Sequence, residues 1–184
     1  MSQMMNNLGL RIRREREDRD WSLTDLAELS GVSRAMINRV ERGESSPTAV
    51  LLGKLSGAFQ LSASELLARS EGATGRLTPS DSAPVWIDPA TGYRRRQVTG
   101  GGFPVDLTEV ILPAGARVEY PASAFAFNRH AIWVLEGELA FTEGDDTHRL
   151  IAGDVLELGA PADCLYANET SEPCRYAVLL ARTI

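Results

Sequence analysis

Leu23–Arg42, which reads LTDLAELSGVSRAMINRVER, decides how the first part of this 184-residue chain folds. Leu23, Leu26 and Ala27 recur at helical spacing, and Ala27 is small enough to let a second helix cross at close range. Gly31 then ends the first helix, because glycine takes up positive φ at little cost. Ser33 follows, with a hydroxyl that can accept from a backbone N–H in the first turn of the next helix. That helix turns Ile37 and Val40 inward and leaves Arg34, Ala35, Asn38, Arg39 and Arg42 outward. The pattern fits an ordinary helical hairpin and equally a helix-turn-helix that enters a DNA groove.

The outward side chains and the flanks favour the groove. Asparagine can pair bidentately with adenine in the major groove, and arginine can read guanine or clamp phosphate. Upstream, Leu8 and Ile12 with Arg11, Arg13, Arg14 and Arg16 predict a helix that lies under the hairpin and presents charge beside it. Downstream, Arg42 to Thr48 is rich in turn residues, and Thr48 caps a further helix with Val50, Leu51, Leu52 and Leu55 inside. Ser62-Ala63-Ser64-Glu65 is a capping box leading into Leu66 and Leu67. Five helices therefore fill the first seventy residues or so.

Trp21–Ala27 (WSLTDLA), Gly31–Gly43 (GVSRAMINRVERG) and Glu44–Thr48 (ESSPT) together resemble the XRE, or lambda-repressor-like, helix-turn-helix family. The resemblance covers about residues 8 to 67 and implies a five-helix DNA-binding bundle. It starts the recognition helix at Ser33 and places Arg34, Ala35, Asn38 and Arg39 toward DNA, with Arg42 at the end of the same outer face. It also implies a buried ion pair between Arg16 and Glu41, a structural pair, since removing either partner leaves an unpaired charge at a helix junction. Leu23 stands where many relatives place a polar reader.

Composition bounds the rest. With 43% hydrophobic residues the chain can bury real cores, and its length allows one or two domains. No apolar run approaches the length that spans a bilayer and no charged-then-apolar leader is visible, so a cytoplasmic protein is expected. The two cysteines, Cys164 and Cys174, are expected to be reduced thiols. A net charge of −6 argues against a nucleic-acid partner until the chain is divided. Residues 1–70 carry ten Lys plus Arg against nine acids, and residues 71–184 nine against sixteen, so the halves stand at +1 and −7. Binding by a helical half this mildly basic is expected to rely on a dimer and to depend on salt.

Ser70 to Gly75 is small, polar and without apolar period, and reads as a linker. The organisation expected is a DNA-binding domain over 8–69, a linker over 70–78 and a second domain over 79–184. Beyond the linker the period changes from helical to alternating: Tyr93–Thr99, Val105–Leu112, Ile132–Leu135 and Glu138–Phe141 read as strands of an all-β sandwich or barrel. In Arg94-Arg95-Arg96 alternation sends the outer two arginines to solvent and the middle one toward a pocket or partner.

Pro113-Ala114-Gly115, Trp133–Leu139 (WVLEGEL), Leu150–Asp154 (LIAGD), Pro161 and Asn168 resemble the conserved pattern of a cupin, a small jelly-roll barrel, over about residues 105 to 181. Many cupins hold a metal with two His and a Glu on one strand and a His on a later one, which implies an enzyme. Here the segment expected to carry His-x-His reads Ser123-Ala124-Phe125-Ala126-Phe127-Asn128. His130 falls near the Glu position, Cys164 where the later His belongs, and His148 in a turn away from the site. Catalytic sites need three protein ligands and structural sites four, so no metal and no cofactor is expected, with His130 and Cys164 the remaining weak candidates. Phe125, Phe127, His130, Trp133, Cys164 and Tyr166 form a candidate apolar ligand pocket, whose members can also be plain core.

The reading that follows is an α + β two-domain chain, a five-helix lambda-repressor-like bundle followed by an all-β cupin barrel. Its expected function is that of a sequence-specific transcriptional regulator, not an enzyme. It would act as a homodimeric repressor on a palindromic double-stranded operator, switched by a small-molecule effector in the barrel and without a membrane partner. The alternatives are a metal-dependent cupin oxygenase or isomerase with a fused regulator domain, and an antitoxin-like module whose second half holds a protein.

Overall fold

Five helices come first in the chain: α1 Gln3–Glu17, α2 Leu23–Ser30, α3 Arg34–Glu41, α4 Ala49–Phe59 and α5 Ala63–Leu67. They belong to a computed structural model that describes residues 3–67, 77, 79–80, 83–99 and 104–182; of the expected linker, only Leu77 is among them. Local chemistry sets the helix ends. The Ser22 hydroxyl accepts from the Asp25 N–H at 3.2 Å while the Asp25 carboxylate accepts from the Ser22 N–H at 2.7 Å, a reciprocal box that starts α2. Gly31 closes α2 at φ 65°, and Ser33 opens α3 by accepting from the Met36 N–H. The N–H groups of Gly43 and Glu44 return to the carbonyls of Val40 and Arg39, both at 2.9 Å, and stop α3.

The bundle buries Leu8 and Ile12 of α1, Leu26 of α2, Ile37 and Val40 of α3, Leu52, Leu55 and Phe59 of α4, and Leu66 of α5. Thr48 and Ser62 cap α4 and α5 as their sequences require. One inward assignment fails: Val50 is exposed, one turn from exposed Lys54, on the outer edge of α4. The reason is that α4 is covered on two sides, by the bundle and by the barrel, and its buried positions include Gly53, Ser56 and Gly57, which no hydrophobic period marks.

Ten strands follow among the described residues: β1 Val85–Ile87, β2 Arg94–Gln97, β3 Val105–Leu112, β4 Arg117–Tyr120, β5 Asn128–Glu136, β6 Glu138–Glu143, β7 Asp146–Ile151, β8 Val155–Glu157, β9 Cys164–Ala167 and β10 Cys174–Arg182. They form two antiparallel sheets, β1-β2-β3-β10-β5-β8 and β4-β9-β6-β7, the jelly-roll arrangement expected. On β3 the alternation is complete, with Asp106, Thr108, Val110 and Leu112 buried and the residues between them half-buried. Gly137 turns β5 into β6 at φ 81°, where a Cβ would also stand 3.0 Å from the Pro173 carbonyl oxygen. His148 lies on β7 rather than in a turn, because Glu143 pairs directly with Asp146 and leaves only Gly144 and Asp145 for the hairpin loop. Both cysteines are free and buried.

Bundle and barrel share one hydrophobic core. Helix α4 lies on β4 and the short 3-10 turn Ala122–Ala124 that follows it. The closeness is made by Gly53 and Gly57, one turn apart: a Cβ on Gly53 would come within 2.6 Å of Tyr120, and one on Gly57 within 2.5 Å of Ser123. Polar contacts reinforce the seam. Buried Asp88, just after β1, accepts from the Ala49 N–H at the start of α4, and the Ser64 hydroxyl on α5 meets that of Thr108 on β3 at 2.9 Å.

Candidate nucleic-acid interface and barrel pocket

Helix α3 turns Ile37, Val40 and Glu41 into the bundle. At 100° per residue, Arg34, Asn38, Arg42, Ala35 and Arg39 fall in that angular order on one arc of roughly 140° on the other side. Arg34, Ala35, Arg39 and Arg42 are exposed there with Ser33, and Asn38 is half-buried. The charges on this face differ in availability. Arg34 and Arg39 have no carboxylate partner among the described residues, whereas Arg42 pairs with Glu44 at 2.6 Å. Leu23 is half-buried and packs against the core.

The basic run on α1 does not present free charge as its sequence suggests. Arg11 pairs with Glu15 at 2.6 Å, Arg13 with Glu17 at 2.7 Å and Arg19 with Glu15 at 2.7 Å. The acids stand four residues from their arginines and so share a helix face with them, which leaves Arg14 as the unpaired member of the run among the described residues. Arg16 turns inward: its Nε and Nη2 donate to the two carboxylate oxygens of Glu41 at 2.7 and 2.8 Å, and its Nη1 donates to the Trp21 carbonyl at 2.9 Å. This fork joins α1 to the end of α3 and fixes that helix from its inner side.

The barrel contains two neighbouring spaces. An outer pocket of about 420 Å³ is lined by Phe125, His130, Glu143, Leu158 and Cys164, among others. An inner space of about 30 Å³ lies between Tyr93, Arg95, Tyr120, Phe125, His130 and Tyr166, with Ser62 and Ala63 of the helical half closing one side. Phe125 and His130, in edge contact at 4.9 Å, belong to both and divide them. Of the six side chains expected around a ligand, Phe127 and Trp133 line neither space and are 42% and 46% exposed. Ile132 and Val134 face inward, so alternation turns Trp133 to the outer surface; Phe127 follows the 3-10 turn and points away.

His130 and Cys164 are two side chains, fewer than the three protein ligands of a catalytic metal site or the four of a structural one. Burial drives the His130 pKa down to about 4, and one ring nitrogen is held by the Asn128 carbonyl at 3.0 Å. Burial pushes the Cys164 thiol up to about 12, with the Glu143 and Asp163 charges adding, and the thiol donates to the Ala162 carbonyl. At neutral pH the pair is a neutral imidazole and an intact thiol. Among the described residues no group of three or more His, Cys, Asp or Glu is placed to hold an ion, so the metal that the resemblance to cupins implies does not fit the residues present.

Helices α2 and α3, joined through Gly31 and the Ser33 cap, form a helix-turn-helix. Residues 12–66 match the helix-turn-helix family HTH_3, and the strands that follow form two antiparallel sheets in a jelly-roll arrangement. The chain is similar to the HTH-type transcriptional regulator SutR of Escherichia coli (strain K12), 25% identical over 98% of this chain and 97% of that protein. A Mycobacterium tuberculosis HTH-type transcriptional regulator is 36% identical over 94 residues, 49% of this chain and 64% of the relative. The crystal structure of an HTH_3 family transcriptional regulator from Vibrio cholerae has the same fold, with a TM-score of 0.78, 22% identity and 98% of each chain covered. Among the described residues, no helix is long and apolar enough to cross a membrane.

Sequence reasoning missed three features of this region. The first is the α4 glycine pair, spaced as Gly53-Lys54-Leu55-Ser56-Gly57. The second is Asp88 as a second cap for α4. The third is what surrounds Arg95, although the alternation of the arginine triplet does point it inward.

Proposed function

We propose that the chain is a cytoplasmic, sequence-specific transcriptional regulator and not an enzyme. Two copies would place their α3 helices in successive major grooves of a palindromic duplex, about one helical turn apart. The observation that carries this is the outer arc of α3, where Arg34 and Arg39 are free of carboxylates and Asn38 lies between them, on a domain of the HTH_3 type. The names of the relatives support the regulatory role. The contribution of a dimer is supported by the outer face of the larger sheet, where exposed Trp133 pairs in register with exposed Val155. The barrel, with a sizeable pocket and no metal-binding set among the described residues, serves as a small-molecule sensor, and the regulator acts as a repressor released by its effector.

Selection of bound sequences from a random duplex pool tests this reading. The expected product is a palindrome with half-site centres about 10 base pairs apart. Asn38→Ala and Arg39→Ala should each lose roughly 1–3 kcal/mol of preference for that palindrome over random duplex. Recovery of no enriched sequence, or equal preference in mutants and parent, overturns it.

A further inference from the structure

Arg95 is the middle residue of the arginine triplet on β2 and is 7% exposed. Its Nη1 donates to the Tyr93 hydroxyl and its Nη2 to the Ser64 hydroxyl, each at 2.9 Å, while Nε has no partner. No carboxylate among the described residues forms an ion pair with it, although every other arginine of the barrel's β-strands whose pairing is described, except half-buried Arg94, sits against a glutamate. A guanidinium taken out of water and bonded only to neutral hydroxyls is an uncompensated charge. Its surroundings supply further donors: the Tyr120 and Tyr176 hydroxyls are buried with no hydrogen-bond partner. Tyr120 and Arg95 both line the inner space, whose remaining walls include Ala124, Val178 and Leu180.

We propose that the inner space is a binding site for a small monoanionic carboxylate with a short apolar tail, its headgroup forked by Arg95 and hydrogen-bonded by Tyr120. One cation sets the charge: His130 is neutral at physiological pH, so a dianion such as phosphate would bring an excess negative charge into the core. The planar fork of arginine matches a carboxylate in two parallel hydrogen bonds. In the closed form the space of about 30 Å³ has room for little more than a water, so the ligand enters from the outer pocket by displacing the Phe125 ring, and its tail occupies that path.

The site also explains how occupancy reaches the helices. Phe125 directly follows the 3-10 turn whose Ser123 packs on Gly57 of α4, and Arg95 holds Ser64 of α5. A carboxylate that takes Arg95 donors and moves Phe125 therefore acts on both helices that join the DNA-binding half to the barrel. The proposal rests on the sensor reading of the barrel, which it deepens by naming the chemical class of the signal.

The test uses the full chain with acetate, butyrate and benzoate as probes, phosphate as a dianion and butyramide as a neutral match for butyrate, read by melting temperature and calorimetric titration. At least one carboxylate should raise the melting temperature by roughly 5–10 °C at about a hundredfold excess over its Kd, and butyramide and phosphate should not. Arg95→Met, which removes the buried charge without shortening the chain much, should weaken that carboxylate by about 30-fold or more. Tyr120→Phe keeps the cation and gives an independent arm, with binding about tenfold weaker. Absence of binding by every carboxylate at tens of millimolar, equal binding of butyramide or phosphate, or unchanged affinity in both variants overturns the site. Operator affinity, measured separately with and without the carboxylate, distinguishes the two readings. Binding without any change in affinity for DNA upholds the site and removes the sensor role, whereas specific DNA binding with no carboxylate bound removes the site alone.

Discussion

At the scale of single residues, two buried polar groups make opposite demands on the fold. Arg16 and Glu41 satisfy each other through two hydrogen bonds, so Glu41→Ala leaves a guanidinium without its partner between α1 and α3. We expect that substitution to cost about 3–5 kcal/mol in urea unfolding, and the double change Arg16→Met, Glu41→Leu to recover most of it. His130 behaves differently because the fold holds it, half-buried, in its neutral form. Its neighbours are the Phe125 ring, the Asn128 carbonyl and the positive charge of Arg95, which also disfavours a second cation. An unfolded histidine takes up its proton near 6.5, whereas His130 in the fold does so near 4. Between those values the unfolded chain binds the additional proton, so the stability held above about 6.5 falls as pH drops toward 4, by about 2–3 kcal/mol. Urea midpoints across this range should show the loss, and His130→Asn should flatten it. Cys164 offers a kinetic check: a thiol pushed up to about 12 and buried should react with iodoacetamide far more slowly in the folded protein than after unfolding.

At the scale of elements, α4 is the helix to which most of the architecture refers. Replacing a glycine by alanine inside a helix ordinarily gains about 0.5–1 kcal/mol in helix propensity. At Gly57 the new Cβ would meet Ser123 at 2.5 Å and its backbone carbon at 3.0 Å, and at Gly53 it would meet the buried Tyr120 ring. Overpacking then outweighs propensity, and both Gly53→Ala and Gly57→Ala should lower stability by about 1–3 kcal/mol in chemical denaturation. Legibility in the sequence follows the same division. Helix ends were readable because Gly31, Ser33, Thr48 and the Ser62–Glu65 box act on their own neighbours, and strands such as Val105–Leu112 because alternation is a local signal. The burial of Gly53 and Gly57 and the exposure of Val50 were not readable that way. Each depends on which distant element covers it, and a residue's own neighbours carry no record of that. The exposed outer arc of α3 was legible from that helix alone, while the pairing of the α1 arginines required counting acids four positions away.

At the scale of the whole molecule, the continuity of the core between helices and barrel predicts a single unfolding event. Calorimetry should give one transition whose calorimetric and van't Hoff enthalpies agree, and Asp88→Ala, which removes the barrel's cap from α4, should move that transition down as one peak and not split it. Two resolved peaks would mean that the halves fold separately.

The glycine seam on α4 also bears on how such a protein can change over generations or be rebuilt by hand. A barrel transplanted from another regulator by cutting near the linker would meet Gly53 and Gly57 with foreign side chains in place of Tyr120, Pro121 and Ser123. Those five positions form one inherited unit: working chimaeras must exchange α4 together with β4 and its following turn, and substitutions on one side should be tolerated only alongside compensating changes on the other.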